Sequence, residues 1–487
     1  MPIIGLLLAT LTAADGSPVV QMALRNAEDA QRALDASQRF VQGWLALKDP
    51  ETGLLPQRLD SPLWTVENSA ADCYPFMVLT GFFTDPALLA GEMRDILERE
   101  MRLTTRVRSL PDALDLTRDA FAYAQADAGR IVFGASEYCK DGLLPLAEMM
   151  GPSPWFERIQ TMARDLCAES GVATAFGPIP SRTAEVNGNM LQVLCRLHSA
   201  TGDPFFLERA LRIADAYFLD ALPKGGGLPC HEWDFEAGKP IHAMLNLVDH
   251  GSEILGGLSE AFVAARTYAP DRAAQYEPAL RRMLDTLLER SRNQNGILSM
   301  KPEGTEGVPD TWGYVYNAFY TAYLLLGEPR YRDAVIEALD HIVAYTEWGG
   351  ADAYADCEEG TLVLLNREWR PETARWLDAL VAKHLSMQRP DGILEGWYGD
   401  GNSARTWLMW AQMKTAGTRV SPWRDDLRYG AARDGESLVV VAEAGRDWTG
   451  TLIFDKPRHR EHGLAAELPP PERVARVVAG GLRRALP

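Results

Sequence analysis

Cysteine is scarce in this 487-residue chain. The six present, Cys73, Cys139, Cys167, Cys195, Cys230 and Cys357, form no C-x-x-C pair. That spacing gives no support to a zinc ribbon or thioredoxin-like redox chemistry, and the thiols read as small buried hydrophobes. Positive charge is also in short supply: 49 Lys and Arg stand against 67 Asp and Glu, a net of −18. Phosphate recognition needs a basic surface, so nucleic acid is not an expected partner. No apolar run reaches the roughly 20 residues of a membrane-spanning helix, so no membrane insertion is expected. The G-x-S-x-G elbow, the Walker loop, the H-E-x-x-H helix and the Rossmann fingerprint are all missing, and no cofactor is expected.

What remains is a globular chain, 46% hydrophobic and 24% charged, with 13 Trp, 15 Tyr and 15 Phe, more tryptophan than an ordinary core requires. Its first segment, Ile3 to Leu11, is an apolar run followed by Thr12, Ala13 and Ala14. This resembles a secretory signal without its basic start, which points to a periplasmic or secreted protein, with a cytoplasmic one as the alternative.

Hydrophobic period sets the fold class. Apolar residues fall at 331, 334/335, 338/339 and 342, and again at 206/207, 210/211, 213/214 and 217, the stripe of an amphipathic helix. Such helices open on an acceptor followed by proline: Asp85-Pro86, Asp203-Pro204, Glu328-Pro329 and the variant Ser153-Pro154. Between them lie helices apolar around more of their circumference, each opening on a polar cluster. Seven openings stand out, at Asp72, Ser136-Glu137, Glu185-Val186-Asn187, Asp249-His250-Gly251-Ser252-Glu253, Asp310-Thr311-Trp312-Gly313-Tyr314, Asp352 and Asp400. Their intervals of 42 to 65 residues suit one helical hairpin plus a variable loop each. Alternating one-sided and all-round apolar helices describe two concentric rings.

In this alternation the chain resembles the six-hairpin, or (α/α)-toroid, glycosidase superfamily, which includes glycoside hydrolases and toroid polysaccharide lyases. The resemblance spans roughly residues 20 to 418 and rests on architecture. It implies an all-α fold, an (α/α)6-7 toroid over 16–418 behind a signal-like segment 1–15. A C-terminal region, 419–487, follows. There 437–442 and 450–454 read as two strands joined through 445–447, with the look of the start of a β-sandwich. The tail from Lys456 turns basic and Pro-rich and shows no strand pattern.

In a toroid the inner helices start on one face, so polar residues there converge on a funnel. Glycoside hydrolysis needs two carboxyl groups, one to protonate the leaving oxygen and one to activate water or attack carbon. Asp249 and Glu253 share a helical face, and His250 stands beside them. Asp310 and Tyr314 form a second candidate catalytic cluster, with Trp312 as a stacking ring and Gly313 as a point of close ligand approach. Glu395 and Asp400 are a third, in a glycine-dense loop with Trp397, Asn402 and Arg405. Asp72, Asn187, Asp352 and Trp64 are expected to complete the substrate-binding surface. The acids around Asp352 and Asp356 lack EF-hand spacing, so no metal is expected.

The leading function is cleavage of an oligo- or polysaccharide by paired carboxylates. A polysaccharide lyase is the alternative enzyme: it needs a Tyr or His base and a cation against a uronate, for which His250, Tyr314, Tyr354 and Arg405 are candidates. A third reading is a helical scaffold that binds sugar or protein without catalysis.

Overall fold

Helices with one buried stripe alternate with helices buried nearly all round in the computed structural model. It describes residues 17–169, 171–243, 245–302, 307–434, 437–446 and 448–454, and the backbone of strands Leu6–Leu8 and Glu472–Ala479. Among the described residues there are fourteen helical segments. The odd-numbered ones form the outer layer: α1 (Pro18–Leu45), α3 (86–104), α5 (Pro154–Ala168), α7 (204–224), α9 (Pro270–Arg290), α11 (329–344) and α13 (Pro371–Leu385). The even-numbered ones form the inner ring: α2 (66–84), α4 (128–150), α6 (Ala184–Thr201), α8 (Asp249–Tyr268), α10 (Trp312–Leu326), α12 (Ala351–Arg367) and α14 (Gly399–Lys414). Each inner helix packs on the next, and α14 closes onto α2. The ring therefore has seven inner members, one for each polar opening in the sequence.

The stripe at 331–342 is buried as its period predicts, with Tyr331, Ala334, Val335, Ala338, Leu339 and Ile342 facing inward. Each such large side chain contributes about 1.5–3 kcal/mol of burial. Asp85, Ser153 and Asp203 cap the helices that follow them by accepting backbone N–H bonds. Glu328 does not: its carboxylate accepts instead from Arg281 at 2.7 Å. The inner helices come unusually close where glycine permits it. A Cβ on Gly313 would stand 2.5 Å from the Cα of Gly360, so α10 and α12 cross backbone to backbone. Gly313 thus serves helix packing, and the close approach expected of a ligand is made by a neighbouring helix.

Connections between layers differ by face. Inner-to-outer turns are short: 85, 151–153, 202–203, 269, 327–328 and 368–370. Most outer-to-inner connections are long, among them 46–65, 105–127, 225–248 and 291–311, and all lie at the N-terminal ends of the inner helices. Long loops on one rim of a rigid scaffold are where binding residues concentrate.

Beyond α14 the chain forms β2 (Thr418–Ser421), β3 (Leu427–Asp434), β4 (Ser437–Ala444), β5 (Trp448–Phe454) and β6 (Glu472–Ala479), while β1 (Leu6–Leu8) comes from the N-terminal apolar run. Two three-stranded sheets result, ordered β1-β4-β3 and β6-β5-β2. The two strands read from the sequence exist, but they do not pair with each other. The bend after Ala444 carries the chain from one sheet to the other, so each finds a different antiparallel partner. The tail expected to lack strands supplies β6, which pairs with β5; residues 455–471 and 480–487 lie outside the described residues. Helix α1 ties this region to the ring. Its Val20, Ala23 and Ala27 pack on Ala432, Val439 and Val441.

Candidate active site

Two inner helices carry wide-wound π-type segments, Val66–Cys73 in α2 and Tyr138–Leu143 in α4. Such segments concentrate at functional positions because the extra residue per turn re-aims side chains. Here they hold Asp72, Lys140 and Asp141. Helices α2 and α4 begin at Val66 and Ala128, so Asp72 and Glu137 sit inside their helices, below the starts where the sequence reading put them.

Lys140 is the centre of one cluster. Its Nζ lies 2.6 Å from Asp141 Oδ1 and 2.6 Å from Glu253 Oε1, while Glu253 Oε2 accepts from Gln192 Nε2 at 2.6 Å. Burial works against the ammonium, but Asp141, Glu253 and Glu137 outweigh it and hold its pKa well above the usual lysine range. Arg405 is the centre of a second cluster. It pairs with Glu359 at 2.5 Å and Asp356 at 3.2 Å, and the Tyr314 hydroxyl donates to Glu359 at 2.6 Å and to Asp356 at 3.2 Å. The clusters meet where Lys140 Nζ stands 5.9 Å from the Tyr314 ring centre.

Near them stand carboxyl groups that form no salt bridge among the described residues. Burial pushes the Asp72 carboxyl well above the ordinary range, and the charges of Asp141 and Asp352 add to it, against Arg405 and Lys140. Glu137 is raised in the same way, by burial first and then by Asp141 and Glu185, and it accepts a hydrogen bond from Asn189 Nδ2. Asp352 is also raised, chiefly by burial, although Asn402 Nδ2 donates to it at 2.9 Å; Asp310 and Glu395 are close enough to raise it further. Both clusters line a cavity of about 140 Å³, through Lys140, Asp141, Glu253, Tyr314, Glu359 and Arg405, and its apolar wall includes Leu79, Met149 and Leu408.

Of the residues singled out from the sequence, Glu253, Tyr314 and Arg405 line this cavity, while Asp72, Asp352, Asp310 and Asn402 are linked to one another by charge or hydrogen bonding. Glu395 and Trp397 stand at the rim of the ring, tied to each other by a 2.7 Å bond from Trp397 Nε1 to Glu395 Oε2. The side chains of Asp249 and His250 lie outside the described residues. Five expectations are corrected. Trp312 is 1% exposed and packs edge-on against Tyr316, so it offers no stacking face. Trp64 is likewise buried, in a short strand paired with Leu114–Asp115. Asn187 turns outward, donating to the Ser181 and Thr183 carbonyls and to Tyr217 on the outer layer. Asp400 is fully buried and braces its own loop, accepting from the backbone N–H groups of Leu394, Glu395 and Gly396 and from Trp44 Nε1. Tyr354 is buried as well, its hydroxyl donating to the Thr346 carbonyl at 3.3 Å.

Glu137, Lys140, Asp141 and Gln192 were not assigned from the sequence. The signal was there: Glu137 and Asp141 stand at i and i+4 with Lys140 between them on a largely apolar helix, and Asp352, Asp356 and Glu359 form the same stripe on α12.

No family model matches the chain. No curated protein matches it. Solved structures similar to it include an inactive variant of alpha-1,6-mannanase, GH76A of Salegentibacter sp. HEL1_6, in complex with alpha-1,6-mannotetrose, at 12% identity and TM-score 0.46, covering 66% of this chain and 97% of that one. A D-mannose isomerase is similar at 13% identity and TM-score 0.45, over 64% and 86%. Cellobiose 2-epimerase from Bacillus thermoamylovorans B4167 is similar at 11% and 0.40, over 59% and 87%. All three names belong to carbohydrate chemistry.

Proposed function

We propose that the ring interior is the active site of a carbohydrate-active enzyme, and that it hydrolyses glycosidic bonds with paired carboxyl groups. The observation that carries this reading is the contrast between Glu137 and Asp141, one helical turn apart on α4. Burial and neighbouring acids raise the proton affinity of Glu137, whereas Asp141 is ion-paired with Lys140 at 2.6 Å. Two neighbouring carboxyl groups in such different surroundings suit a general acid and its charged partner. Glu137 protonates the leaving oxygen. Asp141 acts on the opposite side as the base for water or as the nucleophile. Asp72 and Asp352 bind sugar hydroxyls, and Glu395 with Trp397 receives the glycan at the rim.

The lyase alternative needs a free base and a free cation. Tyr314 is a poor base, since burial and the charges of Asp356 and Glu359 push its phenol well above the usual range. Arg405 is already shared between those two carboxylates. A non-catalytic scaffold would have no need of two neighbouring carboxyl groups, one raised by burial and the other ion-paired with a buried lysine.

Incubation with a panel of neutral, amino and uronic-acid glycans separates these readings through reducing-end release and through absorbance of the unsaturated product. The proposal expects new reducing ends without new absorbance. New absorbance would transfer the site to β-elimination, and the absence of both with every glycan would leave the scaffold.

A further inference from the structure

The interior is rich in acceptors. The three cations on its wall are each shared between two carboxylates, Lys140 by Asp141 and Glu253, Arg196 by Glu148 and Glu260, and Arg405 by Asp356 and Glu359. Asp72 stands within electrostatic reach of Asp141, Asp352, Lys140 and Arg405. Two buried amides extend the pattern. Asn189, 0% exposed, and Asn402, 8% exposed, turn their N–H groups to Glu137 and Asp352, which fixes their orientation and points each carbonyl oxygen away from the acid. Neither oxygen meets a donor. A buried acceptor left unpaired costs about 1–3 kcal/mol, so two such groups beside unneutralised carboxyls fit a ligand that brings donors and positive charge.

We infer that the sugar bound here carries a free amine: the structure assigns an amino-sugar oligosaccharide, with its ammonium group among Asp72, Asp352 and the Asn402 carbonyl, as the substrate class. This rests on the proposed carbohydrate reading and deepens it. An ammonium offers three donors to these acceptors and supplies the countercharge that the wall lacks. A uronate would bring a like charge, and a neutral sugar would leave the acids uncompensated. Burial and neighbouring acids raise the Asp72 and Asp352 carboxyls, so an incoming cation favours their ionised forms and binding releases protons to the buffer.

The test is calorimetric titration of the full chain with glucosamine disaccharide, its N-acetylated counterpart, cellobiose and digalacturonate, in two buffers of different ionisation enthalpy. The expected result is at least tenfold tighter binding of the free amine, with proton release. Asp72→Asn, with unchanged circular dichroism, should weaken that binding about tenfold, and Glu372→Gln, an exposed acid on α13, should leave it unchanged. Equal affinity for the free and acetylated sugars would overturn the inference while leaving the carbohydrate reading intact, as would tighter digalacturonate binding. Equal losses in Asp72→Asn and Glu372→Gln would also overturn it, by assigning the effect to the acidic surface. Failure of every sugar to bind would remove both readings.

Discussion

Lys140 and Arg405 flank Asp72 in the ring, each between two carboxylates, yet the two clusters are built for different ends. Arg405 spreads its planar fork over Asp356 and Glu359, lies 5.3 Å from the Phe76 ring centre and shares its acids with Tyr314, so four inner helices converge on it. Arg405 and the Tyr314 hydroxyl together bind both carboxylates, and the cluster joins α2, α10, α12 and α14. Lys140 is a point charge on a flexible stem. It pairs with Asp141 and Glu253 but with neither Glu137 nor Asp72, whose carboxyls burial and neighbouring acids push above the ordinary range. Both clusters set one cation against two carboxylates, but the arginine cluster ties four helices together, whereas the lysine cluster stands beside raised carboxyls suited to proton transfer.

This contrast can be broken from either side. Lys140→Met should have the largest effect: it strands Asp141 and Glu253 without their cation, and turnover should fall by about 10²-fold or more. Steady-state kinetics on the best glycan checks this. Arg405→Met should instead act on the fold, costing about 3–5 kcal/mol in urea unfolding because two carboxylates lose their cation inside the ring. Trp312→Ala should cost a similar amount, about 3–5 kcal/mol, with KM unchanged, whereas a stacking role would raise KM at constant stability. A smaller effect is expected from pH. Native Asp72 and Glu137 keep protons that the unfolded chain releases, so stability falls as pH rises from the ordinary carboxyl range through their raised values. Asp72→Asn should flatten that decline in thermal melts and be more stable than the parent at neutral pH. Trp397→Ala should have the mildest consequence, a few-fold rise in KM with kcat retained, since its ring lies at the rim.

Much of the fold was legible in the sequence because helix period and acidic-Pro starts are local signals. The stripe at 331–342 and the caps at Asp85 and Asp203 are set by residues within one or two turns. The pairing of the C-terminal strands was not, since β4 and β5 look like a hairpin until the partners β3, β1, β2 and β6 are in place. The site was half legible. Inner-helix acids such as Asp72 and Asp352 announced themselves, but a polar residue beside a helix start does not reveal which way it turns. Asn187 faces the outer layer, while Asn189, two residues on, faces Glu137. Trp312 misled for the same reason: an aromatic next to an acid is as readily core as platform, and only ring closure decides.

Turnover by Glu137→Gln, measured beside the parent protein on a glycan that the parent cleaves, tests the central claim most directly. Loss of about 10²–10⁴-fold with helical circular dichroism intact is the predicted result. Undiminished turnover would contradict the assignment of the ring's proton donor to α4.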